Sequence, residues 1–148
     1  MNKKEELEQA LKLAMKAGDD TRKRTIRMAL SNIKLQEIEK RASLDDAAII
    51  SVLQKEIKMR NESIEGAKKL NRTDLIDANL DEIRVLESFL PAQLSEDDVR
   101  KIAEAVIKEL NATTPTEMGK VMKELLPRLQ GQATNSLASQ VVKQLLSN

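Results

Sequence analysis

The sequence predicts an all-α protein, with about four long helices in an N-terminal domain and a three-helix bundle after it. Three observations lead there. Only four Gly and three Pro interrupt 148 residues. Helix formers (Leu, Ala, Glu, Lys, Gln, Arg) dominate. No window alternates apolar and polar side chains as a half-buried strand does. Hydrophobic residues make up 41% and the net charge is +1, so the chain can bury a core and has no reason to stay disordered.

The first helix is expected from Lys3 to Ala17, with Leu7, Leu11 and Ala14 on one stripe and Gly18 as its C-cap. The second runs from Thr21 to Ala42, with Asp20 as N-cap. The third starts after Ser43, whose spacing to Asp46 resembles a capping box, and continues to Asn71. Its inward stripe is Ile50, Leu53, Ile57, Arg60, Ile64 and Ala67. The fourth runs from Thr73 to Leu90, with Ile76, Leu80, Ile83, Leu86 and Leu90 inward, and Pro91 stops it. Shorter helices follow. Ser95 caps one that carries Val99, Ile102, Ala103, Val106 and Leu110, and Asn111 closes it. Thr114-Pro115-Thr116-Glu117 opens the next, which buries Met118, Val121, Met122, Leu125 and Leu129. Gly131 separates it from the last, Asn135 to Leu146. The predicted domains are therefore residues 1–92 and 93–148.

Composition excludes much chemistry. There is no Cys and no His. A Cys nucleophile, a His base and a Ser-His-Asp triad are therefore impossible within one chain. Disulfides are excluded, and zinc and haem lose their usual ligands. We find no acid/base pair in a cleft-like setting, so no catalytic residue, no metal and no cofactor are expected. No apolar run approaches the ~20 residues of a membrane span. Glu5, Glu6 and Glu8 follow Lys3 and Lys4 at once, which argues against a targeting peptide. A cytoplasmic protein without membrane contact is the expectation.

Charge is distributed unevenly. Residues 12–41 hold nine basic and four acidic side chains, and residues 74–87 hold one and five. Residues 118–148 hold four basic and one acidic. In the second helix Lys23, Arg27, Lys34 and Arg41 form a stripe about 27 Å long. It lies between an apolar face of Ile26, Ala29, Leu30 and Ile33 and another of Met28, Leu35, Ile38 and Ala42. The stripe is either a phosphate-backbone track or a set of stems lying over the core and pairing with the acidic fourth helix. We favour the second. Arg60 interrupts a core stripe and needs partners if buried. Level with it lie Arg84 and, within a turn, Asp81, Glu82 and Glu87. An ion pair with a structural role is expected.

In the C-terminal part, Gly119 falls within a helix beside Lys120 and Lys123. Pro127-Arg128-Leu129-Gln130-Gly131-Gln132 is read as a polar, basic turn. A missing side chain at Gly119 admits another backbone, either a neighbouring helix or a nucleic acid. Gly119-Lys120 is no P-loop, because position 114 is Thr where the first Gly belongs and no strand precedes it. With one Phe and no Tyr or Trp, recognition by base stacking is disfavoured.

Leu86-Glu87-Ser88-Phe89-Leu90-Pro91-Ala92-Gln93-Leu94-Ser95 resembles a signature of the YqeY-like family. Met118-Gly119-Lys120-Val121-Met122, followed by Leu126-Pro127 and Gly131, resembles its second signature. Lys58, Arg60, Ser63, Arg72, Asp74 and Leu75 match as well. The resemblance covers nearly the whole chain. It implies a small domain related to the C-terminal tail of the B subunit of the tRNA-dependent Asp/Glu amidotransferase, a tail that helps hold tRNA. Where family members usually carry a basic residue after Gly131, this chain has Gln132.

The leading expectation is an accessory protein without enzymatic activity that binds structured RNA, tRNA foremost, by shape and phosphate contacts. Lys120, Lys123, Arg128, Lys143, Gly119 and Gly131 are the candidate contacts, with Lys23, Arg27, Lys34 and Arg41 as a secondary stripe. The alternative is a helical adaptor for a protein partner such as an amidotransferase or an aminoacyl-tRNA synthetase. A lower alternative, implied by the resemblance, is carbon–nitrogen ligation with glutamine as amido-nitrogen donor.

Overall fold

The computed structural model describes residues 1–147. Among them it contains seven α-helices, one short 3-10 turn and no strand. The helices are α1 (Lys3–Ala17), α2 (Asp20–Lys40), α3 (Asp46–Lys69), α4 (Thr73–Glu87), α5 (Glu96–Leu110), α6 (Met118–Leu129) and α7 (Asn135–Ser147). The chain divides into two compact units, the first Met1–Leu90 and the second from Pro91 onward.

In the first unit, α1 packs on α2, and α3 and α4 form a hairpin. The core gathers Leu7, Ile26, Ala29, Ile33, Ile49, Leu53, Ile57, Ile64, Ile83, Leu86 and Phe89. Caps set the helix ends. Asn2 and Glu5 close a reciprocal capping box on α1, and Gly18 ends it at φ 70°. Asp19, one residue before the expected Asp20, caps α2, and Arg41 ends it in the left-handed region. Asp45, not Ser43, caps α3. Its carboxylate accepts the Ala48 N–H at 2.8 Å, so the predicted Ser43–Asp46 box does not form. At the α3–α4 turn, Arg72 donates to both oxygens of Asp74, at 3.0 and 2.9 Å. That guanidinium holds the Asp74 carboxyl down at about 2.

Two predictions about α2 and α4 need correction. The second apolar face of α2 is not buried: Met28, Leu35 and Ile38 are 48%, 57% and 63% exposed. Apolar residue type alone does not tell a face that meets the core from one that meets solvent. On α4, Leu80 lies outside rather than inward, and the helix ends at Glu87, so Leu90 follows it in the chain reversal. Phe89 is buried, with the Arg22 guanidinium 5.3 Å above its ring.

Within the second unit, α5, α6 and α7 each pack against the other two. Val99, Ala103, Val106, Val121, Leu125, Leu129, Ala138, Val141, Val142 and Leu146 fill the core. Ser95 caps α5, its hydroxyl accepting the Asp98 N–H at 3.2 Å, and Asn111 ends it at φ 53°. Thr114 and Glu117 form the capping box that opens the 3-10 turn Pro115–Glu117 leading into α6. The supposed turn from Pro127 to Gln132 is shorter than predicted. Pro127, Arg128 and Leu129 belong to α6, and the reversal consists of Gln130 at φ 49° and Gly131 at φ 76°. Pro127 stands in the last turn of α6 and removes the donor that would reach the Lys123 carbonyl.

Candidate nucleic-acid interface

The basic candidates of the second unit stand on two helices, Lys120, Lys123 and Arg128 on α6 and Lys143 on α7. On α6 the buried side carries Val121, Leu125 and Leu129. At 100° per residue, Gly119, Lys120, Lys123 and Pro127 fall opposite that side, and all four are exposed. Gly119 is the second residue of α6, at its entry rather than within its interior. A Cβ added there would meet nothing within 4 Å. No neighbouring helix among the described residues therefore explains the missing side chain, and bare backbone faces outward at the edge of the side that carries Lys120 and Lys123.

Arg128 points elsewhere. Its guanidinium donates to the Glu109 carboxylate of α5. That contact, above all others, raises the Arg128 pKa and lowers that of Glu109. Its charge is thereby partnered within the protein. Lys143 stands exposed on α7, away from the α6 face. Lys120 lies near Glu117, whose pKa is lowered chiefly by the backbone N–H groups of Thr113 and Thr114 and to a smaller degree by Lys120. The compact element is thus Gly119, Lys120 and Lys123, where sequence reasoning assembled four cations.

Gly131 takes part in a backbone clasp. Its carbonyl accepts from Gln93 Nε2 at 3.2 Å, and the next carbonyl, of Gln132, accepts the Leu94 N–H at 2.8 Å. Gln93 also donates to the Pro91 carbonyl at 2.8 Å. The stretch before α5 is thereby fastened to the α6–α7 turn. The two signature segments meet at this clasp, which explains their pairing without invoking a ligand.

The α2 stripe also breaks up. Lys23 is half-buried and pairs with Asp20 at 3.5 Å. Arg27 is exposed and reaches only the Met15 sulfur, at 3.8 Å. Lys34 and Arg41 are exposed and, among the described residues, form no ion pair. Arg41 sits past the helix at φ 52°, out of line with the other three. None of the four pairs with α4. The basic residue of α2 that reaches α4 is Arg24, 3.8 Å from Glu82, which the spacing argument passed over.

Arg60 is 6% exposed. Its Nη1 donates to Glu56 Oε2 at 2.7 Å and to the Glu56 carbonyl at 3.1 Å, and its Nε donates to Glu82 Oε2 at 3.1 Å. Asn32 of α2 donates to the other Glu56 oxygen. Of the expected neighbours only Glu82 takes part, since Arg84 pairs with Asp81. Glu56 was missed, although its place four residues before Arg60 on one helix face was the available signal. No buried side-chain nitrogen or oxygen among the described residues lacks a partner. This connected interior, two acids around one guanidinium, ties α2, α3 and α4 together and leaves no free group for chemistry.

Among the described residues, no group of three or more carboxylates could hold a metal ion, and no helix is long and apolar enough to cross a membrane. The fold and this surface define a helical protein with two cores and a small exposed basic face. The sequence matches the family described as Yqey-like protein over residues 4–146, and the chain belongs to that family. It is 37% identical over 110 residues to "Altered inheritance of mitochondria protein 41, mitochondrial" of Eremothecium gossypii, covering 72% of this chain and 60% of that one. The protein of the same name from Lachancea thermotolerans is 38% identical over 114 residues, covering 74% and 60%. The one from Kluyveromyces lactis is 36% identical over 114 residues, covering 74% and 61%. The chain thus spans about 60% of the length of these curated relatives. Their names correct the cytoplasmic expectation. Relatives at this identity are mitochondrial proteins by name, and an acidic N-terminal sequence is no guide to compartment.

Proposed function

We propose that the protein is an accessory factor that binds structured RNA, tRNA foremost, through the α6 face of its second unit. The observation that carries this reading is the bare backbone at Gly119, open to solvent on the same side of α6 as Lys120 and Lys123. A phosphate can approach such a backbone more closely than any other residue would allow, and two ammonium groups supply the attraction. Readout would be by shape, since no aromatic side chain stands on this face to stack a base. The resemblance of the small domain to the amidotransferase B-subunit tail supports the same reading. An amidotransferase or aminoacyl-tRNA synthetase is then the natural companion. Carbon–nitrogen ligation by the isolated chain has no Cys or His to draw on, and we assign it none.

Two lysines in place of four cations predict a shallow salt dependence, with a slope of roughly −1.5 in log K against log salt. Titration of folded tRNA across a salt series measures it. Replacing Lys120 and Lys123 by Gln should abolish the slope with helical content unchanged. Unaltered binding by that double variant, or no binding of tRNA at low salt, ends the proposal.

A further inference from the structure

We propose that the outward face of α2 is a docking seam for an acidic amphipathic helix of another protein. At 100° per residue, Met28, Leu35 and Ile38 fall within an arc of about 80° on the side opposite Ile26, Ala29 and Ile33. They lie about half to two-thirds in solvent, at 48%, 57% and 63%. The seam from Met28 to Ile38 is about 15 Å long. Arg24 shares the arc, and Arg27 and Lys34 border it. These three cations are poorly neutralised within the chain. Arg24 is 3.8 Å from Glu82, Arg27 meets only a methionine sulfur, and Lys34 has no ionic partner among the described residues. Of the helix's three acids, Asp20 shares the arc and pairs with Lys23 at 3.5 Å, Glu37 is bound by Lys4 at 2.7 Å and by the Leu44 N–H at 3.0 Å, and Glu39 lies at the far edge of the face.

Beside Ile38 and Lys34 an open groove of ≈ 620 Å³ runs between α1 and the end of α2, with Leu30 and Ala42 in its lining. It offers a place for one larger apolar side chain. Charge decides the occupant. A second copy meeting this face by two-fold symmetry would set cations against cations. A phosphate backbone has no use for exposed Leu35 and Ile38, and no aromatic side chain stands there to stack a base. A lipid surface is served poorly by three apolar side chains without an aromatic anchor. A helix with apolar residues at i, i+3/i+4 and i+7, and with Asp or Glu along the flank that meets Arg27 and Lys34, satisfies the apolar seam and the cations together.

The test uses the full chain and a fluorescent 20-residue helical peptide with a leucine stripe and glutamate flanks. A matched peptide with lysine flanks, folded tRNA and phosphatidylcholine vesicles containing one-fifth phosphatidylglycerol serve as comparators. The acidic peptide should bind, more weakly as salt rises. Leu35→Asp with Ile38→Asp should reduce its affinity at least about tenfold, equivalent to 1.4 kcal/mol. Arg27→Glu with Lys34→Glu should transfer binding to the basic peptide. Both pairs are exposed, so circular dichroism should match the parent. Lys120→Gln with Lys123→Gln should leave peptide binding intact, which separates this seam from the α6 face. Equal binding of both peptides, or no effect of the α2 variants, overturns the proposal. So does α2-dependent binding of tRNA, vesicles or a second copy in place of the acidic peptide.

Discussion

The two units solve the same packing problem with different materials. Among the described residues, every buried charge and every large apolar side chain left exposed belongs to the first unit. The second buries apolar residues only and leaves no large one in solvent. Its three helices each present a narrow stripe, and small residues such as Ala103 and Ala138 let them meet closely. The first unit must accommodate α2, whose apolar residues are spread around its circumference. One set enters the core, a guanidinium and two carboxylates fill what the helices leave open beside it, and Met28, Leu35 and Ile38 stay outside. The difference teaches that one unit is complete as it folds, whereas the other carries both an internal ionic joint and an unfinished exterior.

The joint gives the sharpest way to break that contrast. Arg60→Ala should destabilise the first unit by about 3–5 kcal/mol, because Glu56 is left buried without its cation. Arg60→Met combined with Glu56→Leu removes the charge together with its partner and should recover most of that loss. Thermal melts with amide hydrogen exchange assign the change to a unit. Equal, small shifts for Ala and for the double variant would show that the ions contribute nothing there. Next in size, Leu125→Ala should cost the second unit about 2–4 kcal/mol through a cavity and leave exchange in the first unit unchanged. A simultaneous loss in both would mean that the two cores melt as one.

How much of this was legible in the residues depended on the feature. Helix number and the Gly18 and Ser95 caps follow from local rules and could be read directly, whereas α4 ends at Glu87, before Pro91 could stop it. Glu56 and the exposure of Leu35 and Ile38 could not. Each depends on which side of a helix meets a neighbour, and α2 is apolar on more than one side. The basic site suffered in the same way. Lys120 and Lys123 are set by helical phase alone, but whether Arg128 is available depends on Glu109, nineteen residues earlier. Signature residues such as Gln93, Gly131, Arg72 and Asp74 carried the family resemblance, and in the structure they form hydrogen bonds that fasten turns.

Smaller effects sharpen the comparison. Gly131 stands at φ 76°, so Gly131→Ala should cost about 1 kcal/mol in the second unit, whereas Gln130→Gly at φ 49° should gain up to about 1 kcal/mol. Equilibrium unfolding of both variants checks the opposite signs. The smallest effect is acid sensitivity. The carboxyl of Glu117 has its pKa lowered by the Thr113 and Thr114 N–H groups. Its contribution is therefore full above the ordinary glutamate pKa of about 4.3 and declines as pH falls through the lower folded value. Glu117→Gln should flatten that part of the second unit's acid profile. An unchanged profile would show that the box is inert.

The clasp between Leu94 and Gln132 also imposes an order on synthesis. Gln93 and its acceptor Gly131 are 38 residues apart. The first unit is fully translated before that acceptor exists. At bacterial-like elongation of about 5–20 residues per second, the stretch after Pro91 waits roughly 2–8 s for its second half. During that interval the segment before α5 has no partner for Gln93 or Leu94, so the clasp closes only after α6 and its turn have been made.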